Sequence, residues 1–370
     1  MRFLISGGGT GGHIFPAVSI ANALRELVPD CEILFVGALG RMEMERVPQA
    51  GYKIIGLPVR GFDRKRPWQN ISVMIDLMRS MRMVKKVIRE FKPDVAIGVG
   101  GYASGAAMKV AARMGIPVLL QEQNGFAGVT NKLLKNDAAR ICVAYENMDR
   151  FFPADKIILT GNPVRQNLLK GERLKVKGEG DPKNQQIFRG SPGERNLLII
   201  GGSLGARTIN EAIRAALPEL SKRDIQVVWQ TGKTYYEDCK AAWEAAGSPA
   251  NIECLDFLSD MPDRYAQADL VISRAGASSI SELCLLGKAA ILVPSPNVAE
   301  DHQTHNAMAL VNKDAAVLVK DVEAKDKLVS TALELLDDEA RLSTLRKNIL
   351  TLAQPDSARR IAEEVLKLVR

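Results

Sequence analysis

The sequence predicts an α/β protein of two similar halves, each a mainly parallel sheet with helices on its faces. Three observations carry this. Short apolar segments alternate with longer helix-like ones along all 370 residues, the pattern of parallel βα units. The opening design, an apolar strand running into a glycine loop and a helix ("LISGGGTGGHIFPAV", 4–18), recurs as "RNLLIIGGSLGARTINEAI" at 195–213. Between the two, residues 161–195 mix Gly, Pro, Gln and Lys with few apolar runs, the texture of a linker or long loop.

Strands are expected in the first half near 2–6, 32–36, 94–98, 117–121 and 157–160, each a short apolar run bounded by turn residues. Helices are expected at 14–28, 70–91 and 102–114. In the second half the strands fall near 197–200, 225–229, 251–254, 269–272 and 289–293, with a helix from about 206. The chain is too long for one ordinary core. The domains are therefore read as 1–162, a linker at 163–195, 196–354, and a terminal amphipathic helix at 355–370 that packs back on the first half.

Hydrophobic content of 46% and charged content of 25% fit an ordinary soluble globular protein. The five cysteines are scattered and include no C-x-x-C pair, which argues for reduced thiols rather than a disulfide framework or a zinc ribbon. No signal peptide and no spanning apolar run is read. The net charge of +7 is uneven: residues 1–160 carry +8 and the rest −1. Ten cations against three acids crowd residues 60–92, a block suited to nucleic acid, anionic lipid or water.

Glycines after a strand and before a helix let a ligand touch backbone N–H groups, and the helix N-terminus favours phosphate. Gly7, Gly9 and Gly12 satisfy the G-x-G-x-x-G dinucleotide fingerprint, but its confirming acid is missing. The second strand ends in Gly37, Ala38 and Leu39, where a ribose-binding carboxylate belongs. Further glycine loops at 98–105 ("GVGGYASG") and 201–206 ("GGSLGA") suggest two phosphate-bearing ligands. None ends in Gly-Lys-Ser/Thr, and no Asp-x-Asp offers a diphosphate-bridging cation a holder; no metal site and no cofactor is expected.

His13 closes the first loop at a helix start, where the dipole disfavours imidazolium; it is either a neutral base or a cap on backbone groups. His302 and His305 in "EDHQTHNA" lack a third ligand and the i, i+4 spacing of a metal site, and read instead as a helix start led by Glu300 and Asp301. "LLQEQNGFAG" sets Glu122, Gln123 and Asn124 just past a buried strand, as functional or merely solvated loop residues. In "SRAGASSISE", Glu282 either accepts ribose hydroxyls or is satisfied by its helix dipole. On the helix at 70–91, Val73, Leu77, Met81, Val84, Ile88 and Phe91 form a docking stripe. A second stripe, Ile71, Ile75 and Met78, runs into Arg82, Lys85 and Arg89, with Trp68 just before it. That suits an anionic bilayer surface or packing against a neighbouring loop.

"GGGTGGH", "GVGGYASG", "QEQNGFAGVTNKLL", "GNPVR", "GGSLGARTIN" and "EDHQTHNA" occur in the order and spacing of one family. Over essentially the whole chain the sequence resembles the bacterial peptidoglycan glycosyltransferases that add N-acetylglucosamine to undecaprenyl-pyrophosphoryl-N-acetylmuramyl pentapeptide, converting lipid I to lipid II. The resemblance implies the GT-B fold, two Rossmann-like domains facing a cleft, with inversion at the anomeric carbon and no required metal. It implies UDP-N-acetylglucosamine as donor, the undecaprenyl-linked acceptor lipid I, a peripheral position on the cytoplasmic face of the inner membrane, and cell-wall and division machinery as candidate partners, with no nucleic acid.

By position, the resemblance places Ser203 at the donor diphosphate, Arg165 at the nucleotide and the Leu258 backbone at uracil. It places Ala277, Ser278, Ser279, Ile280, Ser281 and Glu282 at the ribose, and Gln303, Thr10, Gly11, Gly12 and Asn124 at the donor sugar. Gly8, Gly9, Gly100, Gly101 and Tyr102 fall at the acceptor pyrophosphate. His13 is the expected base or orienting group and Glu122 the alternative. Leu204 and His302 depart from a pattern in which some relatives have Gln. A UDP-sugar 2-epimerase shares the fold but needs neither acceptor nor membrane patch; a basic nucleic-acid module is disfavoured by an aromatic content of 5%.

Overall fold

The computed structural model describes residues 1–61, 70–164, 195–202 and 204–369. Trp68, Arg165 and Ser203 lie outside the described residues, as does nearly all of the expected linker. The chain forms two compact units, one of Met1–Arg165 with Gln354–Arg370 and one of Gln166–Ala353.

The first unit has a seven-stranded sheet: β1 (Arg2–Gly7), β2 (Glu32–Ala38), β3 (Lys53–Leu57), β4 (Val95–Gly100), β5 (Val118–Glu122), β6 (Arg140–Val143) and β7 (Ile157–Leu159). Its order is β3-β2-β1-β4-β5-β6-β7, and every pair is parallel. The helices are α1 (Gly11–Leu27), α2 (Glu43–Gln49), α3 (Asn70–Phe91), α4 (Tyr102–Arg113) and α5 (Val129–Leu134). Because helices cover both faces, the strands are continuous apolar runs rather than alternating ones. One face packs Leu4, Val36, Val84, Ile88, Met108 and Leu120; the other packs Phe3, Ile5, Ile20, Leu24 and Phe35.

The second unit repeats the design with six parallel strands: β8 (Arg195–Ile200), β9 (Ile225–Gln230), β10 (Ile252–Leu255), β11 (Leu270–Ser273), β12 (Ala289–Leu292) and β13 (Val317–Leu318), ordered β10-β9-β8-β11-β12-β13. Around them run α6 (Arg207–Leu220), α7 (Tyr236–Ala245), α8 (Met261–Gln267), α9 (Ala277–Leu285), α10 (His302–Val311), α11 (Ala324–Asp337) and α12 (Glu339–Leu350). The final helix, α13 (Ser357–Leu366), belongs to the first unit. It buries Ile361, Ala362 and Val365 in the core that holds Ile14, Ile20 and Leu24 of α1. Arg360 fastens it, donating to the Leu159 carbonyl at 2.6 Å and to Gln354 Oε1 at 2.9 Å.

In both sheets the winding reverses beside the first strand, between β1 and β4 and between β8 and β11. Parallel α/β sheets keep their ligands outside the carboxyl ends of such neighbours. The glycine loops at 7–12, 98–105 and 201–206 all occupy those ends. A bulge sharpens the first: Ser6 pairs with Gly98 but Gly7 with Gly100.

Three strands, β3, β6 and β13, are absent from the sequence expectation. They are edge or near-edge strands of two to five residues, too short to stand out by periodicity. The first helix begins at Gly11, not 14: Thr10 is its extended N-cap, so the helix starts inside the glycine loop.

Candidate functional site

In the first unit the loops after β1 and β4 meet. Gly8 N–H donates to the Gly100 carbonyl at 3.4 Å. Gly101 has φ +91 and a side chain there would lie 2.6 Å from the Gly8 carbonyl oxygen; only glycine permits both the backbone and the approach. His13, the third residue of α1, is half-buried, with Nδ1 3.0 Å from the Gly8 carbonyl oxygen. A carbonyl only accepts, so Nδ1 carries the proton, and in the neutral ring Nε2 holds the lone pair. Gly100 clears space for that edge: at φ +102, a Cβ there would lie 2.9 Å from Nε2.

The N–H groups of Thr10, Gly11 and Gly12 have no acceptor among the described residues and open the helix N-terminus, the arrangement that receives phosphate or sugar oxygens. Gly9 differs from expectation. Its N–H is taken by the Glu43 carboxylate at 2.9 Å, so it turns into the protein rather than toward a ligand. Tyr102 opens α4 and is exposed.

Glu122, expected as the alternative base, is 2% exposed and already saturated. Its Oε1 accepts Asn124 N–H at 3.1 Å and Asn124 Nδ2 at 3.4 Å; its Oε2 accepts Gly128 N–H at 3.0 Å and Asn131 Nδ2 at 2.9 Å. With four acceptor positions filled, the carboxylate organises the 123–128 loop instead of meeting substrate. Beneath it runs a buried polar network that sequence reasoning missed. Gln121 Nε2 donates to Asn162 Oδ1 at 3.0 Å, Asn162 Nδ2 to the Gln123 carbonyl at 2.9 Å, and Gln123 Nε2 to the Val99 carbonyl at 2.8 Å. The network joins the ends of β4 and β5.

In the second unit a cavity of about 710 Å³ opens at the end of β8. Gly201, Gly202 and Gly205 line it together with Arg274, Gln303 and Asp321. The loop is held from below by buried Gln230, which accepts Gly202 N–H at 3.1 Å and donates to the Gly202 carbonyl at 2.9 Å. Arg274 was not expected as a site residue. It forms an ion pair with Asp321 and donates to the Val293 carbonyl at 3.1 Å, while Thr208 Oγ1 donates to Asp321 at 2.9 Å. These bonds fix a guanidinium at the cavity wall.

Ala277 to Glu282 form the first two turns of α9, after β11. Glu282 is 5% exposed, and the Tyr265 hydroxyl donates to it at 3.2 Å; Ile280 and Leu258 are also buried. Gln303 Oε1 accepts Ser295 N–H at 2.9 Å, which orients the amide. Glu300 and Asp301 directly precede α10, with Asp301 at its N-cap. Both are left-handed, at φ +55 and +48, and the helix begins at His302. Among the described residues no three His, Cys, Asp or Glu are grouped as metal ligands.

On α3, Val73, Val84 and Ile88 are buried, whereas Ile71, Met74, Ile75 and Met78 are 71%, 46%, 42% and 49% exposed. Arg82 and Lys85 are exposed beyond them. Arg60, one of the cations of this block, is tied to Asp76 at 2.9 Å. No helix among the described residues is long and apolar enough to cross a membrane.

The glycosyltransferase family 28 N-terminal domain matches residues 3–143, and the family 28 C-terminal domain matches 196–364. The sequence is 60% identical, over 100% of this chain and 98% of the relative, to the "UDP-N-acetylglucosamine--N-acetylmuramyl-(pentapeptide) pyrophosphoryl-undecaprenol N-acetylglucosamine transferase" of Bacteroides thetaiotaomicron. A relative of the same name from Porphyromonas gingivalis is 53% identical over 100% of this chain and 96% of its own length. Among solved structures, Acinetobacter baumannii MurG superposes with a TM-score of 0.78 at 27% identity, covering 99% of both chains. The UDP-GlcNAc 2-epimerase of Neisseria meningitidis reaches 0.69 at 17% identity over 99% of this chain and 100% of its own; that likeness is one of fold. The two parallel-sheet units are those of a GT-B protein.

Proposed function

Because this chain belongs to glycosyltransferase family 28 in both of its domains, we infer that it moves N-acetylglucosamine from UDP-N-acetylglucosamine to the 4-hydroxyl of the muramyl sugar of an undecaprenyl-pyrophosphoryl-linked pentapeptide acceptor. Full-length relatives at 53–60% identity carry the name of this reaction. The observation in the first unit that supports it best is the His13 ring, whose Nδ1–H bond to the Gly8 carbonyl gives Nε2 the lone pair of a base.

The reaction is one displacement. The acceptor 4-oxygen attacks the anomeric carbon on the face opposite UDP, its proton passes to His13 Nε2, and the carbon–oxygen bond to the β-phosphate breaks. A single displacement inverts the anomeric centre. UDP leaves with charge spread over its phosphates, and N–H donors with a fixed cation stabilise it. Arg274 and the N-terminus of α6 at Arg207 and Thr208, which line the second unit's cavity, supply these. Glu282 receives the ribose hydroxyls, the Leu258 backbone reads uracil, and Gln303 meets the sugar. The first unit's loops, with Gly8, Gly100, Gly101 and Tyr102, receive the acceptor pyrophosphate, and Asn124 touches the donor sugar.

The exposed apolar residues of α3, continued by Arg82 and Lys85, hold the enzyme peripherally on an anionic membrane surface at the cytoplasmic face. Mass and linkage analysis of the lipid product tests the reading. One added N-acetylhexosamine in β-linkage is expected; an unmodified acceptor beside consumed donor would refute it.

A further inference from the structure

We propose that Glu43 is a positioning residue for His13, acting through the single peptide group that joins Gly8 to Gly9. The inference rests on the reading of His13 as base and adds a residue that nothing in the sequence motifs marks.

Glu43 is the first residue of α2 and is 1% exposed. No Lys or Arg pairs with it among the described residues. Its two oxygens are instead divided between two backbone donors: Oε1 accepts Ala38 N–H at 3.0 Å, and Oε2 accepts Gly9 N–H at 2.9 Å. Ala38 ends β2, so the first bond fixes the carboxylate to the sheet. The second reaches the glycine loop.

The Gly9 N–H and the Gly8 C=O belong to one planar peptide, and in a trans peptide they point in opposite directions. Glu43 holds the N–H side. His13 Nδ1 donates to the C=O side at 3.0 Å. The carboxylate therefore sets the plane of this peptide, and the plane sets where the carbonyl meets the imidazole and which tautomer the ring adopts. A charged acceptor strengthens the N–H bond, and bonds in series polarise one another, which makes the carbonyl a better acceptor for the ring proton.

Four glycines clear the space this requires. A Cβ at Gly37 would lie 2.6 Å from Glu43 Cγ, and one at Gly8 would lie against the Glu43 carboxylate. A Cβ at Gly101 would lie 2.6 Å from the Gly8 carbonyl oxygen, and one at Gly100 would lie 2.9 Å from the His13 ring. The glycines of both loops thus serve the carboxylate–peptide–imidazole line as well as any ligand.

The test is ¹⁵N spectroscopy of the full-length protein labelled at histidine, whose three imidazoles are few enough to resolve; His13→Asn identifies the His13 signals. The wild type should show His13 as the Nδ1–H tautomer. Glu43→Gln can keep only one of the two N–H contacts, because its amide nitrogen would face a donor. It should give mixed tautomers at His13 with unchanged His302 and His305 signals. Its kcat should fall about tenfold, the fold-change that corresponds to one lost hydrogen bond to a charged group, while KM for the UDP-sugar stays within about twofold. Glu43→Asp, one methylene short, should shift the same signals in the same direction. An Nε2–H tautomer in the wild type, a measurement that needs no variant to fold, would overturn the proposal, as would a wild-type tautomer and kcat in Glu43→Gln. If His13→Asn kept kcat within about threefold of wild type, the base reading would fall while the tautomer result still decided the role of Glu43.

Discussion

Glu122 Oε2 accepts the Gly128 N–H at 3.0 Å, closing a loop of six residues around a carboxylate that solvent hardly reaches. The bond makes Glu122 a clamp. Glu122→Gln places an amide nitrogen against N–H donors, and each orphaned donor costs about 1–3 kcal/mol. The urea midpoint of the first unit should drop, and KM for the UDP-sugar should rise as Asn124 is released. A base would behave otherwise: a kcat loss of roughly 10²–10⁴ with unchanged stability and KM would restore Glu122 to the chemistry.

Glu282 is expected to act in binding rather than in turnover. Losing two hydroxyl contacts to a carboxylate, each about 1.5 kcal/mol or more, predicts that Glu282→Ala raises the UDP dissociation constant on the order of 100-fold. Tyr265→Phe removes the 3.2 Å bond that orients the carboxylate, and should raise it about threefold. Calorimetry with UDP reads both; an unchanged constant in Glu282→Ala would remove it from the nucleotide site.

Vesicle binding separates the two readings of α3. Replacing both Ile75 and Met78 with Ser should weaken sedimentation with anionic vesicles about 30-fold, since each partly exposed side chain offers about 1 kcal/mol of transfer. Turnover on a water-soluble acceptor should stay at the wild-type level. Equal sedimentation of variant and wild type would show that the stripe does not meet lipid.

Burial pushes the Cys142 and Cys284 thiols up to about 12. In the unfolded chain a thiol ionises near pH 8.5, so their contribution to stability is complete below that pH and is lost as pH rises toward 12. Unfolding free energy should therefore fall by roughly 2 kcal/mol per thiol between pH 8 and 10. The double variant Cys142→Ala and Cys284→Ala should flatten this slope in urea titrations. Parallel slopes in the two proteins would contradict the assignment.

Much of this is legible in the sequence. Buried parallel strands are written as uninterrupted apolar runs, and a strand followed by glycines and a helix is the local signature of a β1 or β8 terminus. The positions of His13, Glu122 and Glu282 followed from that signature. Their roles did not follow equally. A carboxylate at a strand end reads alike whether it faces substrate or its own loop, and only the four donors around Glu122 decide the matter. Glu43, Gln230 and Arg274 escaped notice for a related reason. Their partners lie 34, 28 and 47 residues away in sequence, and no periodicity records a contact made by the winding of the sheet. Edge strands such as β13, two residues long, are defined by their neighbour's hydrogen bonds rather than by their own side chains.

The most direct measurement is UDP release from UDP-N-acetylglucosamine by the purified protein, with and without a lipid I analogue. Release should depend on the acceptor and yield one UDP per N-acetylglucosamine transferred. Release at the same rate without acceptor, or no release with an acceptor preparation proven active on a known transferase, would contradict the proposed reaction.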